Sequence, residues 1–193
     1  MNDPASNKSV RLRPSRSEDA SAIARIYNWY VANTTVTFEE TKVSEEDMAL
    51  RIEDPSAYCP WLVLEQEGRL LGYASSSMWK SRCAYRFARE TSIYLDQDVR
   101  GQGLGIILYE GLLQQFTDSP INVLIAGIAQ PNEASVALHE KLGFSYVGTF
   151  KDVGYKFEQL IDVGYWQKRL NNSGAGAGHQ ASGVNDEPSR EKS

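Results

Sequence analysis

The run Arg100-Gly101-Gln102-Gly103-Leu104-Gly105 is the stretch of this chain best able to do chemistry. Three alternating glycines let the backbone turn tightly and bring several N–H groups to bear on one point. An apolar run over residues 104–116 follows and predicts a helix. Converging N–H donors at a helix N-terminus make a seat for phosphate. Arg100 adds a fixed cation at its rim. The same six residues also read as a glycine-rich turn with no ligand, so their neighbours carry weight.

Glu90 stands in an extended stretch, residues 87–95, that leads into this loop. Alternation puts Glu90, Ser92 and Tyr94 on one face. A carboxylate there is placed to act as a general base. The plainer reading is a solvent-facing strand residue paired with Arg89 or Lys80. Downstream, a helix is predicted over residues 132–142, stopped by Gly143. At about 100° per residue, Ala134, Ala137, Leu138 and Leu142 form its expected core face. Asn132, Ser135 and His139 share a neighbouring stripe, within roughly 60° of one another. Asn132 suits an N-cap. His139 is a candidate acid or base, or else a surface histidine. Residues 79–86 set Lys80, Arg82 and Arg86 among Trp79 and Tyr85. Such a loop can clamp a small carboxylate or phosphinate, or merely keep an edge strand soluble. Cys83 within it reads as inert. Cys59 and Cys83 lack metal-type spacing, and the second histidine, His179, is remote, so no metal is expected.

The elements that position these groups follow from periodicity. Residues 10–13 alternate as a short strand, and residues 20–31 carry apolar positions at helical spacing behind a Ser17 cap. Ser44 caps a short helix to about residue 52. Residues 61–65 and 69–79 read as strands joined by a turn at residues 66–68. Further extended segments cover residues 88–95, 123–128, 146–157 and 161–170, with the two later helices between them. This is an α/β pattern on a mixed sheet. Trp29, Tyr30, Trp61, Phe144, Phe157 and Trp166 are expected in the core or at a dimer contact.

The chain has 193 residues, 41% hydrophobic and 23% charged, which suits one domain. We read residues 1–8 as a flexible N-terminus, 9–170 as the folded domain and 171–193 as a disordered tail. The net charge of -5 leaves no basic footprint for nucleic acid. No apolar run approaches the roughly 20 residues a membrane span needs. A polar opening and two cysteines point to the cytoplasm.

Arg100, Gly103 and Gly105 match the Arg/Gln-x-x-Gly-x-Gly/Ala loop of the GNAT superfamily of acetyl-CoA-dependent N-acetyltransferases. Asn132-Glu133-Ala134-Ser135 and Leu138-His139-Glu140-Lys141-Leu142-Gly143-Phe144 resemble that family's second half. A dinucleotide fingerprint would need glycine where Ile106 stands, and the Gly-Lys-Ser/Thr of a nucleoside triphosphate loop is missing. Asn33-Thr34-Thr35-Val36-Thr37-Phe38, Tyr58-Cys59-Pro60-Trp61-Leu62-Val63, residues 79–85 and Tyr155-Lys156-Phe157 are similar to the phosphinothricin acetyltransferases. That branch includes methionine sulfone and methionine sulfoximine acetyltransferases.

The resemblance implies a GNAT fold: a central mixed, mostly antiparallel sheet of about seven strands flanked by about four helices. It implies acetyl transfer from acetyl-CoA to the α-amino group of a small amino-acid analogue, detoxifying it. Glu90 and His139 would be catalytic, with either one the base and His139 alternatively a donor to the leaving thiolate. Ile93, Tyr94 and Leu95 would align the pantetheine arm. Arg100, Gly101, Gln102, Gly103, Leu104, Gly105 and Ile106 would hold the pyrophosphate, with Asn132 and Ser135 also on the cofactor. Phe38, Lys80, Ser81, Arg82, Tyr85, Glu90, Thr91 and Ser92 would surround the acceptor. A homodimer is expected, with residues 163–166 (Val-Gly-Tyr-Trp) suited to its interface. Two other readings share the cofactor half: an acetyltransferase for a protein N-terminus or another amine, and a non-catalytic CoA-binding regulatory domain.

Overall fold

The structure is a computed structural model and describes residues 9–170. The expected flexible N-terminus and disordered tail, with His179, lie outside the described residues. The chain runs β1 (Arg11–Pro14), α1 (Ala20–Asn33), α2 (Glu45–Ile52), β2 (Trp61–Gln66), β3 (Arg69–Met78), β4 (Ala88–Leu95), α3 (Leu104–Gln114), β5 (Val123–Ala129), α4 (Glu133–Lys141), β6 (Ser145–Lys156) and β7 (Gln159–Arg169). The strands form one sheet in the order β1-β2-β3-β4-β5-β7-β6. Every neighbouring pair is antiparallel except β4 and β5, which run parallel. The expected mixed, mostly antiparallel seven-stranded sheet with four helices is what forms.

Alternation divides the apolar residues between two faces. Leu62 and Leu64 of β2 pack with Leu104, Leu108, Tyr109 and Leu112 of α3 on one side. Val63, between them, packs with Ile23, Ile26 and Tyr27 of α1 and Met48 of α2 on the other. Each large aliphatic side chain so buried contributes about 1.5–3 kcal/mol. Ser44 caps α2 as expected, its Oγ accepting from the Asp47 N–H at 3.0 Å. Ser17 does not cap α1. The carboxylate of Asp19 accepts from the Arg16 N–H at 2.9 Å and from the Arg13 guanidinium at 2.7 and 2.8 Å. Ser17 instead opens the short 3-10 turn Ser17–Asp19 before α1, and its hydroxyl donates to the Glu53 carboxylate. At the β2–β3 turn, Glu67 and Gly68 both have positive φ, 50° and 80°. That is the backbone twist a tight hairpin needs.

The interface expected around residues 163–166 is corrected in part. Val163 and Trp166 are buried in their own chain, 6% and 5% exposed. The apolar surface lies instead on the edge strand β6, where Tyr146, Val147, Phe150, Val153 and Tyr155 are all more than half exposed. Among the described residues no helix is long and apolar enough to cross a membrane.

Candidate active site

The site begins where two parallel strands part. β4 and β5 pair at Ala88↔Val123, Arg89↔Leu124 and Glu90↔Ile125, and no further. Beyond that point β4 leads into the glycine loop and β5 into α4. On its other edge β4 stays paired with β3, and the Asp96 N–H donates to Leu71 O at 2.8 Å. Backbone alternation then turns the N–H and C=O groups of Ile93 and Leu95 the opposite way, into the gap. A cleft of about 390 Å³ fills this gap, lined by both strands, the glycine loop and α4. One of its edge groups is already engaged, since the Tyr30 hydroxyl donates to Leu95 O at 2.6 Å. Ile93, Tyr94, Leu95, Arg100, Gly101, Gly103, Gly105, Ile106, Asn132 and Ser135 all line the cleft. Gln102 is exposed and Leu104 packs into the core, so neither side chain takes part in that lining.

Gly101 and Gly103 have φ of 78° and 76°, and Gly103 is the left-handed N-cap of α3. A Cβ at either position would meet nothing within 4 Å. The requirement for glycine is therefore conformational, not steric. The loop brings the N-terminal end of α3 to the cleft, where Gly105 lines it, while the Ile106 N–H donates to Gly103 O at 3.2 Å. Arg100 is held beside it, its guanidinium carbon 4.7 Å from the centre of the Trp29 ring and its Nε donating to Gln97 O. These features fit a pyrophosphate: oriented donors, a helix N-terminus and one cation. Two strand-edge residues beyond them fit the amide-bearing arm of a CoA.

The Asn132, Ser135 and His139 stripe is also present. Asn132 caps α4, its Oδ1 accepting from the Ser135 N–H at 3.2 Å. His139 Nδ1 lies 2.7 Å from the Ser135 carbonyl oxygen and 3.3 Å from Ser135 Oγ. A carbonyl only accepts, so Nδ1 carries the proton and Nε2 the lone pair. The expected core face of α4 is corrected in part: Leu142 packs against the core as expected. His139 is its buried residue, whereas Ala134 and Ala137 are exposed. The rings of Tyr109 and Phe144 pack on His139 at 5.0 and 5.2 Å, and this contact turns the helix. Ala134 and Leu138 consequently face the cleft. Burial holds the imidazole below its ordinary pKa despite the Ser135 carbonyl. Its Nε2 is buried with no hydrogen-bond partner.

A second cavity, about 250 Å³, opens on the Glu90 face of β4. Glu90, Ser92 and Tyr94 line it together, as alternation requires, and Ser92 and Tyr94 line the first cleft as well. Burial pushes the Glu90 carboxyl above its ordinary pKa, and Lys80 acts in the opposite direction. Thr91 points to the other face, its hydroxyl 2.6 Å from Tyr109 Oη and 3.2 Å from Ile125 O. Ser81, Arg82 and Tyr85 are exposed on the loop before β4 and line neither cavity. Lys80 lies with its Nζ 4.6 Å from the Trp79 ring centre. Phe38 lies against Gly154 of β6, where a Cβ would collide with its ring. Sequence reasoning missed Tyr27, Arg51, Asp54, Cys59, Trp61 and Tyr73 in this second cavity. Tyr73 was within reach, since it sits opposite Tyr94 in the β3–β4 register. Nothing local marked Arg51 or Asp54. Burial raises the Cys59 thiol pKa, which keeps it protonated and unreactive.

A cleft between splayed parallel strands, with a glycine-turn anion seat and a half-buried carboxylate on the shared strand, has the parts of an acyl-transfer site. The acetyltransferase (GNAT) domain family matches residues 12–164, and the chain belongs to that family. It is 38% identical over 162 residues to a phosphinothricin N-acetyltransferase of Alcaligenes faecalis, across 83% of this chain and 82% of that one. It is 33% identical over 168 residues to an L-methionine sulfoximine/L-methionine sulfone acetyltransferase of Pseudomonas aeruginosa, across 84% and 96%. The fold superposes with a TM-score of 0.79 on a phosphinothricin acetyltransferase from Sinorhizobium meliloti in complex with acetyl-CoA. That pair shares 37% identity over 83% of this chain and 88% of the other. The chain is thus an acetyl-CoA-dependent N-acetyltransferase.

Proposed function

We propose that this enzyme acetylates the α-amino group of a small amino-acid analogue of the phosphinothricin, methionine sulfone or methionine sulfoximine type. One observation carries the reading: the anion-binding cleft and the Glu90 cavity lie on either side of one strand and share Ser92 and Tyr94. A cavity of about 250 Å³ suits an amino acid, and the names of the relatives point the same way.

Acetyl-CoA, bound in the cleft, supplies an activated acetyl thioester. Arg100 and the 101–106 loop would hold its pyrophosphate, and the strand edge at Ile93 and Leu95 its pantetheine arm. An amine is protonated at neutral pH, and Glu90 removes that proton, directly or through one water. The N–H groups of Ile93 and Leu95 are the donors available to charge developing on the acetyl oxygen. Neutral His139, with its only proton held at Nδ1, offers an acceptor and no proton. The second proton of the acceptor nitrogen is the one available to the leaving sulfur. Lys80 lies close enough for its charge to act on Glu90 and would hold the acceptor's α-carboxylate.

Acetyl-CoA should raise the melting temperature, and thiol should be released with methionine sulfone, methionine sulfoximine or phosphinothricin. Release only with a peptide N-terminus would move the acceptor to proteins. Stabilisation without release on any amine would leave a regulatory CoA-binding domain. The partners we propose are acetyl-CoA and a small acceptor in the cytoplasm, with neither nucleic acid nor membrane.

We further propose a homodimer through the outer face of β6. Phe150, Val153 and Tyr155, with Leu160 of β7, leave a run of large apolar side chains exposed along this edge, the kind of surface a partner copy covers. Sedimentation at assay concentrations should give twice the 21.6 kDa chain mass, and a monomer that retains full activity would remove the dimer from the picture.

A further inference from the structure

The acceptor cavity has two chemically different ends, and a residue at its far end has no part in the scheme above. At the near end stands Glu90, and Lys80 is the cation whose charge reaches it. Arg51, from the last turn of α2, marks the other end. Its guanidinium carbon lies 5.9 Å from the Tyr27 ring centre. Its charge acts on the phenols of Tyr27 and Tyr73, not on Glu90. Between the two ends run Tyr73 and Tyr94, stacked with centroids 5.3 Å apart. An acceptor with its amine at Glu90 therefore sends its side chain along an aromatic wall toward Arg51.

The charge around Arg51 narrows what it can recognise. Its Nη1 donates to Glu39 Oε1 at 2.8 Å, and Asp54 lines the same cavity. A guanidinium presents five N–H donors, so one such contact does not exhaust it. With Arg51 already paired to Glu39, and with Asp54 on the same cavity wall, this end offers donors but no net positive charge. A full anion entering there meets Asp54 on the wall and a cation whose charge Glu39 already offsets. A neutral group with strong acceptor oxygens gains the hydrogen bonds without that repulsion.

We propose that Arg51 is the residue that reads the end of the acceptor's side chain, favouring a neutral, oxygen-rich terminus of the sulfone or sulfoximine type over both an alkyl and an anionic one. This rests on the amino-acid acetyltransferase reading above.

The test compares three acceptors alike at the α-carbon: methionine sulfone, norleucine and phosphinothricin. Wild-type kcat/KM should be highest for the sulfone. Arg51→Met should lower the sulfone-to-norleucine ratio about tenfold, the effect of one hydrogen bond to a charged group at a half-exposed site. The KM for acetyl-CoA should not move. Glu39→Gln, which keeps the guanidinium and removes a charge, should raise phosphinothricin relative to the sulfone. Equal loss on all three acceptors in Arg51→Met would show a packing role and overturn the inference. So would an unchanged sulfone-to-norleucine ratio, or a phosphinothricin-to-sulfone ratio that does not rise in Glu39→Gln. If the wild type is stabilised by acetyl-CoA yet releases no thiol with any of the three, the amino-acid reading itself falls, and this one with it.

Discussion

Glu90→Gln is expected to lower kcat by about 10²–10⁴-fold, the range for losing a positioned general base. The substitution is nearly isosteric and removes a carboxylate that burial already disfavours. The fold should therefore be kept, and thermal stabilisation by acetyl-CoA should match the wild type. The pH profile carries the sharper test. The Glu90 pKa is raised, so its basic form accumulates only as pH climbs through that raised value, and the wild-type rate rises with it. In Glu90→Gln this limb should vanish. The remaining deficit should narrow as pH approaches the amine's own pKa, where the acceptor loses its proton unaided. Turnover at saturating substrate that equals the wild type at neutral pH would end the base assignment.

The second large effect is expected at Asp96, which does no chemistry. It follows the last residue of β4, is 0% exposed, and precedes the turn that delivers Arg100 and the glycine loop. Its carboxylate accepts from Arg25 Nη1 at 3.0 Å and from the Asp98 N–H at 3.1 Å, and lies 3.3 Å from Arg69 Nη2. Burial alone would raise its pKa, but the Asp98 N–H and the two guanidinium groups outweigh burial and hold it low. Asp96→Ala should cost about 3 kcal/mol, the low end for breaking a buried ion pair. The low end applies because Arg25 and Arg69 are 54% and 52% exposed and regain water. Urea unfolding reads this directly. The sign with pH follows from the depressed pKa. The contribution is complete above the ordinary carboxylate range and is lost as pH falls through the folded value, so the two proteins should converge in acid. The KM for acetyl-CoA should rise as well, since the turn that seats the loop loses its anchor. A stability change below about 0.5 kcal/mol, the level of an ordinary surface substitution, would contradict this.

Much of the donor side was legible in the sequence because its signals are local. Gly101 and Gly103 are glycines for the sake of φ, which neighbouring residues set. Alternation along residues 88–95 correctly grouped Glu90, Ser92 and Tyr94 on one face, whereas Thr91, expected beside the acceptor with them, turns to Tyr109 on the other. The stripe of α4 was right as a group, but its side was misjudged. Apolar residues were expected to face the core, yet Tyr109 and Phe144 draw His139 inward, and both come from other elements. The acceptor side was legible only in part, since its wall is assembled from α1, α2, β2, β3 and β4. Arg51 and Asp54 reach it only because α2 folds over the sheet, and no spacing within residues 45–54 records that.

The parting of β4 from β5 has a consequence for how such an enzyme changes over time. In the proposed binding mode the donor would be met largely by main-chain groups, at Ile93, at Leu95 and along the glycine loop. No codon change removes a peptide N–H except one to proline. In the proposed acceptor cavity the acceptor would be met by side chains such as Arg51, Asp54 and Tyr73, each open to replacement by a single nucleotide. Drift can therefore redirect the acceptor while the donor half stays intact, and a chain of this architecture can acquire a new substrate without first losing its old chemistry.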